Sequence, residues 1–161
     1  MYNHEPFGYV CPFCRTIQTA AAVHPHISSS DVIYHSETAT AFVALGRWPN
    51  NPVDVLVVPN EHIENLYDLP LRYVPSLHTL TRAIALALKG VYGCDGVSTR
   101  QHNEPAGGQD VWHYHAHVTP RFAQDAFYQS HKAPFPESER LEQARQLREY
   151  VRAHQAELFN P

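Results

Sequence analysis

No stretch of this 161-residue chain is apolar for long enough to cross a bilayer; the run from Ala83 to Leu88 is short and stopped by Lys89. The opening residues, Met1-Tyr2-Asn3-His4-Glu5-Pro6, lack the basic and then apolar segment of a secretory signal, so a cytoplasmic protein is expected. There is no excess of positive charge. The formal net charge is −4 with histidine neutral, which excludes a broad basic surface for nucleic acid or anionic lipid. A nucleotide would need a local site. Internal repeats and low-complexity tracts are absent. Cysteine is scarce and odd in number, at three, so a disulfide framework is not the plan of the fold. What remains is a chain with 43% apolar residues, enough for one soluble domain with a real core.

The most informative run is His113-Tyr114-His115-Ala116-His117-Val118-Thr119. Strand side chains alternate with period two, so the three imidazoles leave one face while Tyr114, Ala116 and Val118 leave the other. A merely structural face would pack better with Val or Ile. Imidazole accepts and donates protons, attacks electrophiles and binds metals, so a row of three marks a chemical surface. Gly107-Gly108-Gln109-Asp110 leads directly into it. Glycine lets backbone N–H groups approach a phosphate closely.

Around these residues the pattern predicts strands over 31–35, 38–45, 53–58, 96–101 and 111–121. Apolar positions at Val74, Leu77, Leu80, Ile84 and Leu88 predict a helix over 71–89, ended by Gly90 and Gly93. A second helix is expected from Pro136, with acidic residues in its first turn and apolar positions at Leu141, Ala144, Leu147, Val151 and Leu158. Residues 1–30 read as loop, and Arg47 to Pro52 as a turn. Hairpins with one central helix imply an antiparallel α+β domain rather than βαβ units. The helix after residue 136 packs either on this domain or on a partner subunit.

Cys11-Pro12-Phe13-Cys14 places two thiols on one tight turn, half of a tetrahedral zinc site. The competing reading is an ordinary or redox pair. A redox Cys-X-X-Cys opens a helix after a strand, however, and this one stands in a proline-rich leader. Cys94 has no partner motif and reads as a small, partly buried residue.

The segment from Asn103 to Arg121 resembles the signature of the histidine triad (HIT) family, His-φ-His-φ-His-φ-φ with φ apolar, preceded by a Gly-Gln loop. His113, His115, His117 and Val118 match, and Thr119 is a weak match. The resemblance runs from about Cys11 to Arg121. It implies a HIT-like fold of about five antiparallel strands and a central helix over residues 1–125, with 126–161 as a helical extension. It implies a structural zinc held by Cys11, Cys14, His62 and His113. It makes His115 the nucleophile of a nucleotidyl-histidine route, with His117 donating to a non-bridging oxygen. Asn103, Gly108 and Gln109 would meet the phosphate. Turn chemistry before Pro105 is the other reading of Asn103.

Some features depart from the family pattern. The acidic residue expected after Ala41-Phe42 is absent, and the customary Gly-His before the third strand reads Val53-Asp54. Asp110 stands where many members have Ser or Thr, and its role is open. Ile33, Phe42 and Trp48 are candidates for a base pocket, though apolar strand residues are more often core. Arg121 is a candidate for distal phosphates or an ordinary surface charge. The function implied is hydrolysis at the α-phosphorus of nucleoside phosphoramidates or dinucleoside polyphosphates. The alternatives are a nucleotidyltransferase, against which His117 argues because that branch carries Gln there; a nucleotide-binding scaffold with incidental turnover; and a metallohydrolase using the triad as ligands. The resemblance further implies a homodimer through the central helix and an edge strand, making one continuous sheet, with the apolar face at Ala83 to Leu88 as the candidate surface. Packing of that face on the chain's own sheet is the competing reading.

Overall fold

A computed structural model describes residues 2–18 and 31–160. The elements that matter are α1 (Pro12–Gln18), β1 (Val32–His35), β2 (Ala39–Val43), β3 (Gly46–Arg47), β4 (Val55–Pro59), α2 (Val74–Tyr92), β5 (Gly96–Gln101), β6 (Ala116–Arg121), β7 (Ala133–Pro134), α3 (Glu137–Ala153) and α4 (Gln155–Phe159). Five strands form an antiparallel sheet in the order β1-β2-β4-β6-β5, and β3 pairs with β7 in a separate two-stranded ribbon. The antiparallel α+β architecture expected from the sequence is the one present.

Period-two alternation gives the sheet two dissimilar faces. On one, Ala41, Val43, Val55, Val57 and Val118 meet Leu77, Leu80, Ile84 and Leu88 of α2 and Ala144, Leu147 and Val151 of α3. On the other, Phe42, Ala44, Leu56 and Val58 meet Cys11 and Phe13 around α1. The second face is thinly covered and carries the histidines. Both central strands, β2 and β4, are buried along their whole length, which explains their nearly continuous apolar sequence.

Three expectations change. Residues 12–18 are a helix, α1, with Pro12 at its first position, where a missing N–H costs nothing. A helix of seven residues does not hold alone, so its contacts on the sheet sustain it. The fifth strand begins at Ala116 rather than at 111, and His113 and His115 stand just before it. Finally, α2 runs past Gly90 to Tyr92 and ends at Gly93, whose φ of 59° supplies the left-handed cap. Gly90 is instead a packing site, because a Cβ there would strike the Tyr150 ring of α3. The loop expected over Pro25 and Ser28 to Ser30 lies outside the described residues.

The late helix packs on the chain's own domain. Arg140 of α3 is buried, and its Nε donates to Asp31 Oδ1 at 2.8 Å. No helix among the described residues is long and apolar enough to cross a membrane.

Candidate active site and metal centre

Leu56 of β4 pairs directly with His117 of β6, and Phe42 of β2 pairs with Leu56. Directly paired residues share a face, so His117 emerges on the thinly covered side of the sheet. His115 lies beside it with ring centroids 5.1 Å apart. Phe13 of α1 approaches both His113 and His115 edge-on, at 5.7 and 5.5 Å. The same-face triad read from the sequence is therefore present. It is achieved by an extended lead-in to the strand, not by the strand alone.

His115 and His117 open into a cavity of about 280 Å³ lined by Phe13, Leu45, Leu56, Val111, Asp110 and Lys132, among others. His115 Nδ1 donates to the His113 carbonyl at 2.7 Å. That bond places the proton on Nδ1 and leaves the Nε2 lone pair for the cavity. Burial, and then the neighbouring charge of His117, lower the His115 pKa to about 4. The ring is neutral at physiological pH, the form a nucleophile requires. Asp110 Oδ1 stands 3.7 Å from His115 Nε2 on a side chain that is otherwise open to solvent.

His117 Nδ1 donates to Asp54 Oδ2 at 2.8 Å. Thr119 Oγ1 donates to Asp54 Oδ1 at 2.7 Å, and Lys132 Nζ reaches Oδ2 at 2.8 Å. Asp54 is fully buried. Burial alone would raise its pKa. The hydrogen bond and charge of His117, followed by Lys132, outweigh it and hold the carboxyl below its ordinary value. Neither Asp54 nor Lys132 was singled out from the sequence as part of the site. One signal was available: Asp54 is a lone charge in the apolar run Val53 to Val58.

Not every candidate residue reaches the cavity. The Gln109 side chain is turned inward, with Nε2 donating to the carbonyls of Glu64 and Val111 and Oε1 accepting from the Glu104 N–H. The Gly108 and Gln109 N–H groups close turns onto Pro105 and Glu104. Gly108 has a φ of 87°, a conformation that favours glycine. Asn103 exchanges hydrogen bonds with Gln101 and accepts from the Leu66 N–H. Residues 103–109 thus form an internally bonded loop beside the cavity. His102, whose ring lies 5.9 Å from that of His117, fastens it through Gly107. Arg121 is bound to Asp125 through two nitrogens, at 2.6 and 2.8 Å. Ile33 packs on the helical face and Phe42 lies beneath α1, so both are core. Trp48 stacks on Phe127 and carries the Lys132 ammonium over its ring.

A second cluster adjoins the first. One ligating atom from each of Cys11, Cys14, His62 and His113 lies within 4.8 Å of the others. Cys11 Sγ is 3.3 Å from His113 Nδ1, and Cys14 Sγ is 3.2 Å from His62 Nδ1. Tetrahedral zinc with sulfur and nitrogen ligands has ligand–ligand edges of roughly 3.6 Å, so the spacing and the donor set fit the ion. Both imidazoles are oriented from behind, His113 Nε2 by the Pro59 carbonyl and His62 Nε2 by Glu5. The Cys11 thiol is pulled far below its ordinary range, first by its hydrogen bond with Cys14 and then by His113 and His62. A thiolate is the form that binds metal.

The HIT domain family model matches residues 17–124. An uncharacterised HIT-like protein of Saccharolobus solfataricus is 31% identical over 142 residues, 88% of this chain and 92% of that protein. The purine nucleoside phosphoramidase of Escherichia coli is 29% identical over 90 residues, 55% of this chain and 74% of the enzyme. Among solved structures, a zinc-bound histidine triad family protein of Mycobacterium smegmatis superposes with a TM-score of 0.73 at 25% identity, covering 91% of this chain and 96% of that one.

Proposed function

The chain belongs to the HIT domain family, and from that premise we propose that it is a nucleotide hydrolase acting at an α-phosphorus through His115. The observation that carries this is the His115 ring: buried, neutral, its Nδ1 proton held by a backbone carbonyl and its Nε2 aimed into a cavity. Nε2 attacks phosphorus, and the bond from phosphorus to the leaving amine or phosphate breaks, with a proton passing to that group. Water then cleaves the phosphorus–nitrogen bond, giving a nucleoside monophosphate and free His115. His117 stabilises the charge that gathers on the non-bridging oxygens. The apolar walls from Leu45, Leu56 and Val111 suit a base or ribose face. Asn103, Gly108 and Gln109 contact the phosphate in this proposal, which requires the 103–109 loop to exchange internal hydrogen bonds for substrate.

Cys11, Cys14, His62 and His113 would hold a zinc ion in this proposal. With four protein donors the ion would serve structure and not the reaction. What it supplies is a pin between α1 and the lead-in to the triad strand. Likeness to the phosphoramidase supports the hydrolase reading, and likeness to the zinc-bound structure supports the metal.

We also keep the homodimer as a proposal, through the central helix and an edge strand but away from the Ala83 to Leu88 face. Ala83, Ile84, Ala87 and Leu88 are wholly consumed by the chain's own core. An apolar groove of Leu66, Leu69, Val74 and Tyr114 lies beside edge strand β5. A sedimentation mass near the monomer value of 18.3 kDa at micromolar concentration contradicts it.

The test of function is a panel of adenosine and guanosine phosphoramidates, dinucleoside polyphosphates and sugar nucleotides, with a covalent trap. An α-³²P substrate should leave acid-labile, base-stable label on the wild type and none on His115→Ala. Label that persists in the variant refutes the nucleophile.

A further inference from the structure

Asp54, where the chain departs from the family pattern, touches Thr119, the weak match at the last position of the motif. The Thr119 hydroxyl donates to one carboxylate oxygen and His117 Nδ1 to the other. Asp54 reaches this point because it precedes β4 by one residue and shares a face with Leu56, the direct partner of His117. A buried carboxylate is costly unless every lone pair is used. Here the third partner is Lys132, from the chain beyond the triad strand. Lys132 immediately precedes β7, which pairs with β3 so that Ala133 faces Arg47. Position 46 is glycine, and a Cβ there would come within 3.7 Å of the Lys132 stem and 3.2 Å of the Ala133 carbonyl. The ribbon thus carries Lys132 to the cavity wall, where its side chain is about one-third exposed.

We infer that Asp54 is the positioning residue of His117 and that Lys132 is a phosphate-contacting residue of the same site. The inference rests on the reading of His115 as nucleophile. A proton held on Nδ1 by Asp54 fixes the plane of the ring and turns Nε2 toward the cavity, where the phosphoryl oxygen of a substrate would lie. The logic is that of an aspartate behind a catalytic histidine. Lys132 is a compact charge on a flexible stem. It neutralises Asp54 in the empty site and turns to an anionic oxygen of the substrate when one enters. The ligand class is a nucleotide phosphate. Arg100, directly opposite His117 on β5, stays stacked over Trp48 and Phe127, and Arg121 is held by Asp125. Lys132 is the cation that lines the cavity among the described residues.

The experiment compares Asp54→Asn and Lys132→Met using an adenosine phosphoramidate and a diadenosine polyphosphate as probes, with ¹⁵N spectra of the histidine rings. Asp54→Asn should lower kcat by ~10²-fold or more while KM stays within threefold, and should change the protonation signature of the His117 ring; the comparable aspartate-to-asparagine change in a serine protease costs ~10⁴-fold. Lys132→Met should raise KM about tenfold, leave kcat within threefold and preserve the His117 signature. An unchanged His117 signature in Asp54→Asn, or a kcat within threefold of wild type, overturns the positioning role. An unchanged KM in Lys132→Met overturns the phosphate contact. If Asp54→Asn does not fold, Lys132→Met still tests the phosphate contact through KM, and the wild-type ring spectrum tests the positioning: a His117 Nδ1 that carries no hydrogen-bonded proton overturns it. Wild-type protein inactive on both probes counts against the hydrolase reading. The ring spectra still judge the Asp54–His117 unit in that case.

Discussion

Replacing Cys14 by Ser removes one of four ligands from the proposed zinc site and tests what holds α1 in place. The helix has seven residues, too few to persist without tertiary contacts. It is attached through Cys11 and Cys14 and through Phe13, which is buried against Phe42, His113 and His115. Releasing α1 exposes Phe13, worth about 1.5–3 kcal/mol, and removes the packing over Cys11. The larger core of α2, α3 and the opposite sheet face does not depend on α1, so the loss is bounded at about 2–4 kcal/mol. At about 2–4 °C per kcal/mol for a chain of this size, Tm should fall by ~4–16 °C. Metal content should fall with it, because ligand binding and folding of this segment are linked. The assay pairs elemental analysis with a thermal melt, and a chelator should give the wild type the same lowered Tm. Full metal occupancy in a Cys14→Ser, His62→Ala double variant would refute the ligand set. Metal loss without any change in Tm would refute the structural role.

Other outcomes follow from the same geometry. His115→Ala should abolish turnover yet still bind a nucleoside monophosphate, whereas His117→Ala should be slowed by ~10²–10³-fold, the usual cost of one charge-stabilising donor; steady-state rates with calorimetric binding decide, and a dead His117→Ala beside an active His115→Ala reverses the roles. Because the Asp54 carboxyl is held below its ordinary value, the stability it contributes is present above the unfolded carboxylate value, about 3.9, and is lost as pH falls through the lower folded value. Urea denaturation of wild type and Asp54→Asn should therefore differ most at pH 7 and converge toward pH 3. Arg140→Ala removes one side of a buried 2.8 Å ion pair with Asp31 and should destabilise the fold, measured as a drop in the urea midpoint; an unchanged midpoint would show that the pair contributes nothing to stability.

Most residues of the proposed reaction and metal centres, His62 excepted, stand in the sequence as local patterns. His-X-His-X-His and Cys-X-X-Cys carry their chemistry in their spacing, and period two on an extended chain is enough to put His113, His115 and His117 on one side. The apolar spacing of α2 and the continuous apolar run of β4 likewise reflect burial that any fold of this chain must provide. What tertiary structure decided is which distant groups complete each centre. The pairing of β4 with β6 brings Asp54 to His117, 63 residues away, and pairing of β3 with β7 brings Lys132 to the same carboxylate. Neither pairing has a local signature, since ribbon strands of two residues are too short to show periodicity. Gln109 and Arg121 illustrate the converse. Each looks free for a ligand when read alone, and each is claimed in the fold by a partner, Glu64 and Asp125, that only chain packing supplies. Local spacing determined the kind of chemistry, and long-range pairing determined which side chains are left available to perform it.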